Sequence, residues 1–181
     1  MKRANLLGPG AVLLVAIGCS EAPNLLAPTP PTTLQQAAAQ SSHLTGPVAV
    51  AGDYDAVVDF STLTLTPRGS NCLLQVDGQL VFSGTIEGVA TGTTTALVLA
   101  TCEEAASTPP GTHRDVFRSE LEFEGTIAGV PAQGDMMYQG RVQEGGEVEG
   151  RIIASGGIAG VLEVDAQVAV GGSYAGSLVV H

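Results

Sequence analysis

The sequence predicts an all-β, antiparallel fold, on three observations. Apolar and polar residues alternate with a period of two nearly everywhere after residue 47, no long stretch there carries a 3.6-residue period, and glycine pairs cut the chain into short segments. Successive side chains of a strand point to opposite faces. Sustained alternation therefore marks a sheet with one dry and one wet side, the pattern of antiparallel rather than parallel sheet.

Three segments carry the alternation most clearly. Leu74, Val76, Gly78, Leu80, Phe82, Gly84, Ile86 and Gly88 share one parity, against Gln75, Asp77, Gln79, Ser83, Thr85 and Glu87. Phe117, Leu121, Phe123, Gly125, Ile127 and Gly129 alternate with Arg118, Glu120, Glu122, Glu124 and Thr126. Leu162, Val164, Ala166, Val168 and Val170 alternate with Glu163, Asp165 and Gln167. Turn signals then give eight or nine strands, placed at 54–66, 71–76, 79–90, 94–103, 115–129, 135–143, 147–155, 159–170 and 173–180. Asp77-Gly78 is read as a tight hairpin, because glycine tolerates the positive φ that a primed turn needs. Gly145-Gly146, Gly156-Gly157 and Gly171-Gly172 supply three more connections, and Ala105 to Arg114, with Pro109-Pro110-Gly111, is the longest break.

The octapeptide Phe82-Ser83-Gly84-Thr85-Ile86-Glu87-Gly88-Val89 recurs 41 residues later as Phe123-Glu124-Gly125-Thr126-Ile127-Ala128-Gly129-Val130, and Ile158-Ala159-Gly160-Val161 echoes its end. Propeller blades of that period need more chain than this. Repeated hairpin geometry within one barrel accounts for it better, with inward glycines letting the strands coil around a narrow interior.

With its glycine-spaced strands, the run Gly156 to Val161 and a closing Tyr174, residues 50–181 resemble an uncharacterised bacterial domain family similar to the allene oxide cyclase barrel, itself related to plant dirigent proteins. The resemblance implies a closed eight-stranded antiparallel barrel around a small central cavity. The chain departs from the pattern in Cys72 and Cys102 and in its scarcity of aromatics, and no catalytic residue of the cyclase maps onto a position here. A β-sandwich is the rival fold. An immunoglobulin-type sandwich usually buries a tryptophan beside an inter-sheet disulfide, and this chain has no tryptophan.

The first 47 residues read differently. Lys2 and Arg3 precede an apolar run from Ala11 to Gly18, then Cys19. A run of eight falls short of the roughly 20 residues needed to span a bilayer. Residues 1–18 are therefore expected to be a cleaved lipoprotein signal peptide and Cys19 the lipidated residue, the alternative being an ordinary secretory signal. Residues 19–47, rich in proline, threonine and glutamine, are expected to be a tether, and 48–181 the barrel domain. The expected location is the cell envelope, lipid-anchored through Cys19, at the outer membrane or facing the periplasm if the cell has two membranes.

Loss of Lys2 and Arg3 leaves five arginines against eighteen acids, a formal charge of −13. Nucleic acids and anionic lipids are bound by clustered lysine and arginine, so a nucleic-acid partner is excluded. Export exposes Cys72 and Cys102 to an oxidising compartment, and with Cys19 committed to lipid they form an even pair, expected to be a disulfide worth roughly 3–4 kcal/mol.

Catalytic signals are sparse, and no metal or cofactor is expected. His43, His113 and His181 fall in the tether, the long loop and the C-terminus and read as solvated. Asp53, Asp55 and Asp59 lack the glycine and terminal glutamate of a calcium loop. Glu103-Glu104 reads as a solvated loop or as a carboxylate pair at a barrel mouth. Leu80, Phe82, Leu121, Phe123, Met136, Tyr138 and Tyr174 are candidates for the barrel interior, either as plain core or as the wall of a site for a small apolar ligand. Three functions follow: a non-enzymatic envelope lipoprotein holding such a ligand, a cyclase- or isomerase-like enzyme acting on a hydrophobic substrate, and a structural or adhesive envelope protein.

Overall fold

The computed structural model describes residues 46–181. The expected signal segment, Cys19, His43 and all but the last two residues of the expected tether lie outside that range.

Eight strands run in chain order: β1 (Val48–Arg68), β2 (Asn71–Gly84), β3 (Ile86–Val98), β4 (Asp115–Ile127), β5 (Val130–Val142), β6 (Glu147–Ser155), β7 (Ile158–Gln167) and β8 (Gly171–Val180). A short helix, α1 (Cys102–Ser107), separates β3 from β4. Every strand pairs antiparallel with its chain neighbour, and β1 also pairs with β8, Val50 opposite Gly176 and Asp55 opposite Gly171. The sheet thus closes into one barrel without edges, and the sandwich alternative is excluded.

Closure gives every strand an inside. The inward residues are even-numbered on every strand except β4, where they are odd, and on β1 this holds up to the irregularity after Asp59. The switch follows from the β3–β4 register, in which Ala90 faces Phe123 and Ile86 faces Ile127. Outward positions on β4 carry Arg118, Glu120, Glu122 and Glu124, all exposed. Arg118 and Glu120 make a surface ion pair at 2.9 Å, a contact of little stabilising value because both groups are solvated.

The strand boundaries differ from the sequence reading in several places: β1 begins at Val48 rather than 54 and β5 at Val130 rather than 135. Asp77-Gly78 is not a turn. It lies within β2, paired with Asp59 and Val58 of β1, and a Cβ at Gly78 would sit 2.7 Å from the Val57 carbonyl oxygen. Glycine is there for close backbone approach, a role that composition does not distinguish from a turn. The expected strands 79–90 and 94–103 divide differently: a break at Thr85 separates β2 from β3, and the chain leaves the sheet at Leu99 and enters α1. The expected strand 115–129 ends at Ile127, because Ala128 (φ 51°) and Gly129 (φ 77°) both adopt the left-handed region of a two-residue hairpin. The last turn spans Val168–Val170, so Gly171-Gly172 already belongs to β8.

One end of the barrel is packed solid. Ile86, Ile127, Ile158 and Leu178 are fully buried there. Phe82 stacks edge-on against Phe123 and Tyr174, with centroids 6.1 and 5.5 Å apart. The octapeptide repeat places Phe82 and Phe123 together, a spatial reason for its recurrence. The Tyr174 hydroxyl accepts from the Ile86 N–H at 2.9 Å and donates to the Ser83 carbonyl at 3.0 Å. It therefore satisfies the backbone where β2 breaks into β3.

At the other end the β1–β2 hairpin projects past the barrel, and α1 packs on it. Cys72, Val98 and Ala100 form a small second core with Leu65, Leu74, Cys102 and Ala105. Cys72 and Cys102 lie at disulfide distance, with Cα atoms 4.8 Å apart. Replacing Tyr174 by phenylalanine keeps the ring packing and orphans the Ile86 N–H. The expected cost is about 1–2 kcal/mol, read as a lower thermal midpoint for Tyr174→Phe; an unchanged midpoint would show that water replaces the hydroxyl.

Candidate functional site

The open end of the barrel holds a cavity of about 340 Å³. Its origin is visible in the residues that point inward at this level: Ala56, Gly78, Thr94, Ala96, Ser119 and Ala166 all line it and are all small. Eight strands fix the barrel's circumference, so small inward residues leave space that the backbone cannot collapse to fill. Larger apolar side chains, Leu74, Val76, Leu80, Leu121 and Phe117, complete the wall.

The rim is built by segments outside the regular sheet. Phe60 and Leu63 come from a stretch of β1 where pairing with β2 is interrupted between Asp59 and Thr64. Ala105, Ala106, Pro109, Pro110 and Gly111 come from α1 and the loop after it. The Gly111 carbonyl accepts from the Gly145 N–H at 2.9 Å, tying this loop to the turn between β5 and β6. Thr101 and Glu104 form a reciprocal capping box at the start of α1: Glu104 accepts from the Thr101 N–H at 2.9 Å and from its hydroxyl at 2.7 Å. Those two hydrogen bonds hold the Glu104 carboxyl below its usual range. The Glu103-Glu104 pair is therefore part of a helix start, and Glu104 does structural work there.

Polar groups enter the cavity at three depths. Deepest, the hydroxyls of Tyr54 and Tyr138 hydrogen-bond at 3.0 Å, and Tyr138 stacks edge-on against Phe117 at 4.8 Å. Burial pushes the Tyr54 hydroxyl up to about 12 and raises Tyr138 further, so both stay protonated. Beside them Thr94 and Ser119, cross-strand partners on β3 and β4, bond hydroxyl to hydroxyl at 2.7 Å. Nearest the rim are His113 and Asp115. Asp115 Oδ1 and His113 Nε2 are buried and have no hydrogen-bond partner. Asp115 sits between Val98 and Val142 on the flanking strands, and desolvation raises its carboxyl from the ordinary value to about 7. At neutral pH it stands near its midpoint, able to give or take a proton.

The residues expected to line the interior separate into two groups. All seven are buried in one core cluster. Leu80, Leu121 and Tyr138 line the cavity, whereas Phe82, Phe123, Met136 and Tyr174 are not among its lining residues. Asp53 and Asp55 point outward on β1, and Asp59 accepts from the backbone and side chain of Ser61, at 3.0 and 2.6 Å. Among the described residues no group of three or more potential metal ligands is brought together. His181 is exposed at the chain end. The expectation that His113 is solvated fails for its Nε2, because the loop folds back over the mouth. Asp115 was absent from the expectations, although a signal for it exists: it shares the odd parity of Phe117, Leu121 and Phe123, an acid on the dry side of β4.

The raised carboxyl makes a stability prediction. Between about pH 4 and pH 7 the folded protein holds a proton on Asp115 that the unfolded chain has lost, so stability falls as pH rises through that window. Asp115→Asn should remove this slope and leave the variant more stable than the parent above pH 7, by about 2–4 kcal/mol. Parallel denaturation curves for the two proteins from pH 4 to 8 would contradict the burial of this group.

No family model matches the chain, and no curated protein matches it. Among solved structures, a protein of unknown function from the DUF3224 family of Shewanella oneidensis MR-1 is similar, at 14% identity and a TM-score of 0.49, over 75% of this chain and 98% of that one. That likeness bears on neither the cyclase resemblance nor the N-terminal segment, and it carries no function to this chain.

Proposed function

We propose that this protein is a cell-envelope lipoprotein, anchored through Cys19, whose barrel holds a small and largely apolar molecule at its open end. The cavity carries the reading. Protein interiors pack to the density of organic crystals, and voids much larger than a water are uncommon in them. A space of about 340 Å³ lies within the range of small-molecule sites, roughly 300–1,000 Å³, and its mainly apolar wall with a few polar groups is the usual composition of such sites. Phe60 at the rim is 56% exposed and offers an apolar surface along the entry path. The apolar run from Ala11 to Gly18 before Cys19 supports export, and the barrel is the domain that such an anchor would present.

A second reading, an enzyme of the cyclase or isomerase type, is favoured by one observation. Asp115 lines an apolar cavity with its carboxyl near 7, a value suited to moving a proton on a bound substrate. Carriage and catalysis use the same cavity, so occupancy is the property to test first.

Calorimetric titration with phenylbutanol, a neutral molecule with an apolar body, should reveal one saturable site. Ala96→Phe, which fills the wall, should abolish it while the barrel still melts cooperatively. Absence of saturable binding to the parent protein would remove the cavity reading. For the anchor, Cys19→Ser should end metabolic acyl labelling in the native host, and labelling that persists would refute lipidation at this residue.

A further inference from the structure

We infer that the molecule held by the barrel is a small organic cation: an apolar body ending in an amine, seated with its ammonium group at Asp115. The inference rests on the proposed occupancy of the cavity and specifies the chemical class of the occupant. Four observations carry it.

The first is the sign of the charges. The lining residues include Asp115 and no lysine or arginine, while the Asp77 carboxylate faces outward, accepting from the Thr93 hydroxyl at 2.6 Å. An amphiphile with a carboxylate or phosphate would meet no lysine or arginine there, in a chain of net charge −11. A cation is drawn toward such a mouth by the field of the whole protein.

The second is an unmet hydrogen-bonding demand. Asp115 Oδ1 is buried without a partner, and its strand neighbours Val98 and Val142 provide none. A buried acceptor left unpaired costs about 1–3 kcal/mol. An ammonium group supplies donors and a compensating charge together, whereas an alcohol supplies one donor and no charge.

The third is aromatic. Phe117, two residues from Asp115 on the same face of β4, and Phe60 at the rim line the same space. Aromatic faces attract organic cations through the ring quadrupole, more strongly where water is excluded.

The fourth is what surrounds the carboxyl. The titratable side chains that line the same cavity are His113 on the approach to β4, Tyr138 on β5 and Tyr54 on β1, with Glu104 on α1 near His113. Arg114 and Arg141 are on the outer wall, Arg141 facing Glu149 at 3.6 Å. No lysine or arginine faces the cavity to neutralise Asp115. Burial alone raises the carboxyl, so near neutrality it is partly protonated, and a bound ammonium ion would favour the ionised form and release that proton to solvent.

Three probes sharing one body separate the possibilities: phenylbutylamine, phenylbutanol and phenylbutyrate, titrated calorimetrically into the full folded chain. At pH 8 the amine should bind about tenfold or more tighter than the alcohol, and the carboxylate weakest. Between pH 5.5 and 7 amine binding should release a proton, seen as a heat that varies with the buffer's ionisation enthalpy, and its affinity should rise with pH and level off above about 7. Asp115→Asn should bring amine and alcohol within about threefold and flatten the pH profile, while Asp77→Asn retains both effects. Equal binding of amine and alcohol by the parent protein, or preference for the carboxylate, would overturn the inference and leave the cavity reading standing. If none of the three binds, the cavity reading itself fails and the inference with it.

Discussion

Pairing of β1 with β8 is the constraint on which the rest of the structure depends. Once that ladder forms, the circumference is fixed, each strand has one dry face, and inward side chains must fill a cylinder of set width. A sheet left open could adjust its curvature to the volume of its core. A closed one cannot, so interior volume becomes a direct function of inward residue size. At one end Phe82, Phe123, Tyr174 and four fully buried aliphatics fill it. At the other, alanine, glycine, serine and threonine leave it empty. The cavity is thus a consequence of closure combined with a gradient of side-chain size along the axis.

The same constraint explains why polar groups are tolerated inside. A void at the mouth lets Thr94, Ser119, Tyr54 and Tyr138 satisfy one another in pairs instead of reaching solvent. Asp115 and His113 are different, since each retains a buried atom without a partner. Native structures keep few such atoms. Their position at the rim, beneath a loop fastened by Gly111 and beside a helix held by Thr101 and Glu104, links the chemistry of the site to the only part of the described fold that is not barrel.

Much of this architecture is legible in the residues, and the parts that are not have a common cause. Alternation over 71–90 and 115–127 gives the dry and wet faces, and all seven interior candidates are buried. The glycines mislead at Asp77-Gly78 and Gly171-Gly172, because turn formation and close strand approach select the same residue. The helix at Cys102–Ser107 is too short to show a period, although Thr101 and Glu104 hold the spacing of a capping box. Asp115 escapes notice because a single acid beside a proline-rich loop looks solvated until the loop's path is known.

Parity is a local property, written in neighbouring residues, and so the sequence by itself determined the all-β class and the inward set of most strands. Volume and dielectric are not local. Whether Leu80 touches a void or Met136 a packed neighbour, and whether Asp115 meets water, depends on side chains brought together from strands far apart in the chain. Only the closed tertiary structure decided those questions, because only closure places Ala56, Ala96, Ser119 and Ala166 around one empty space.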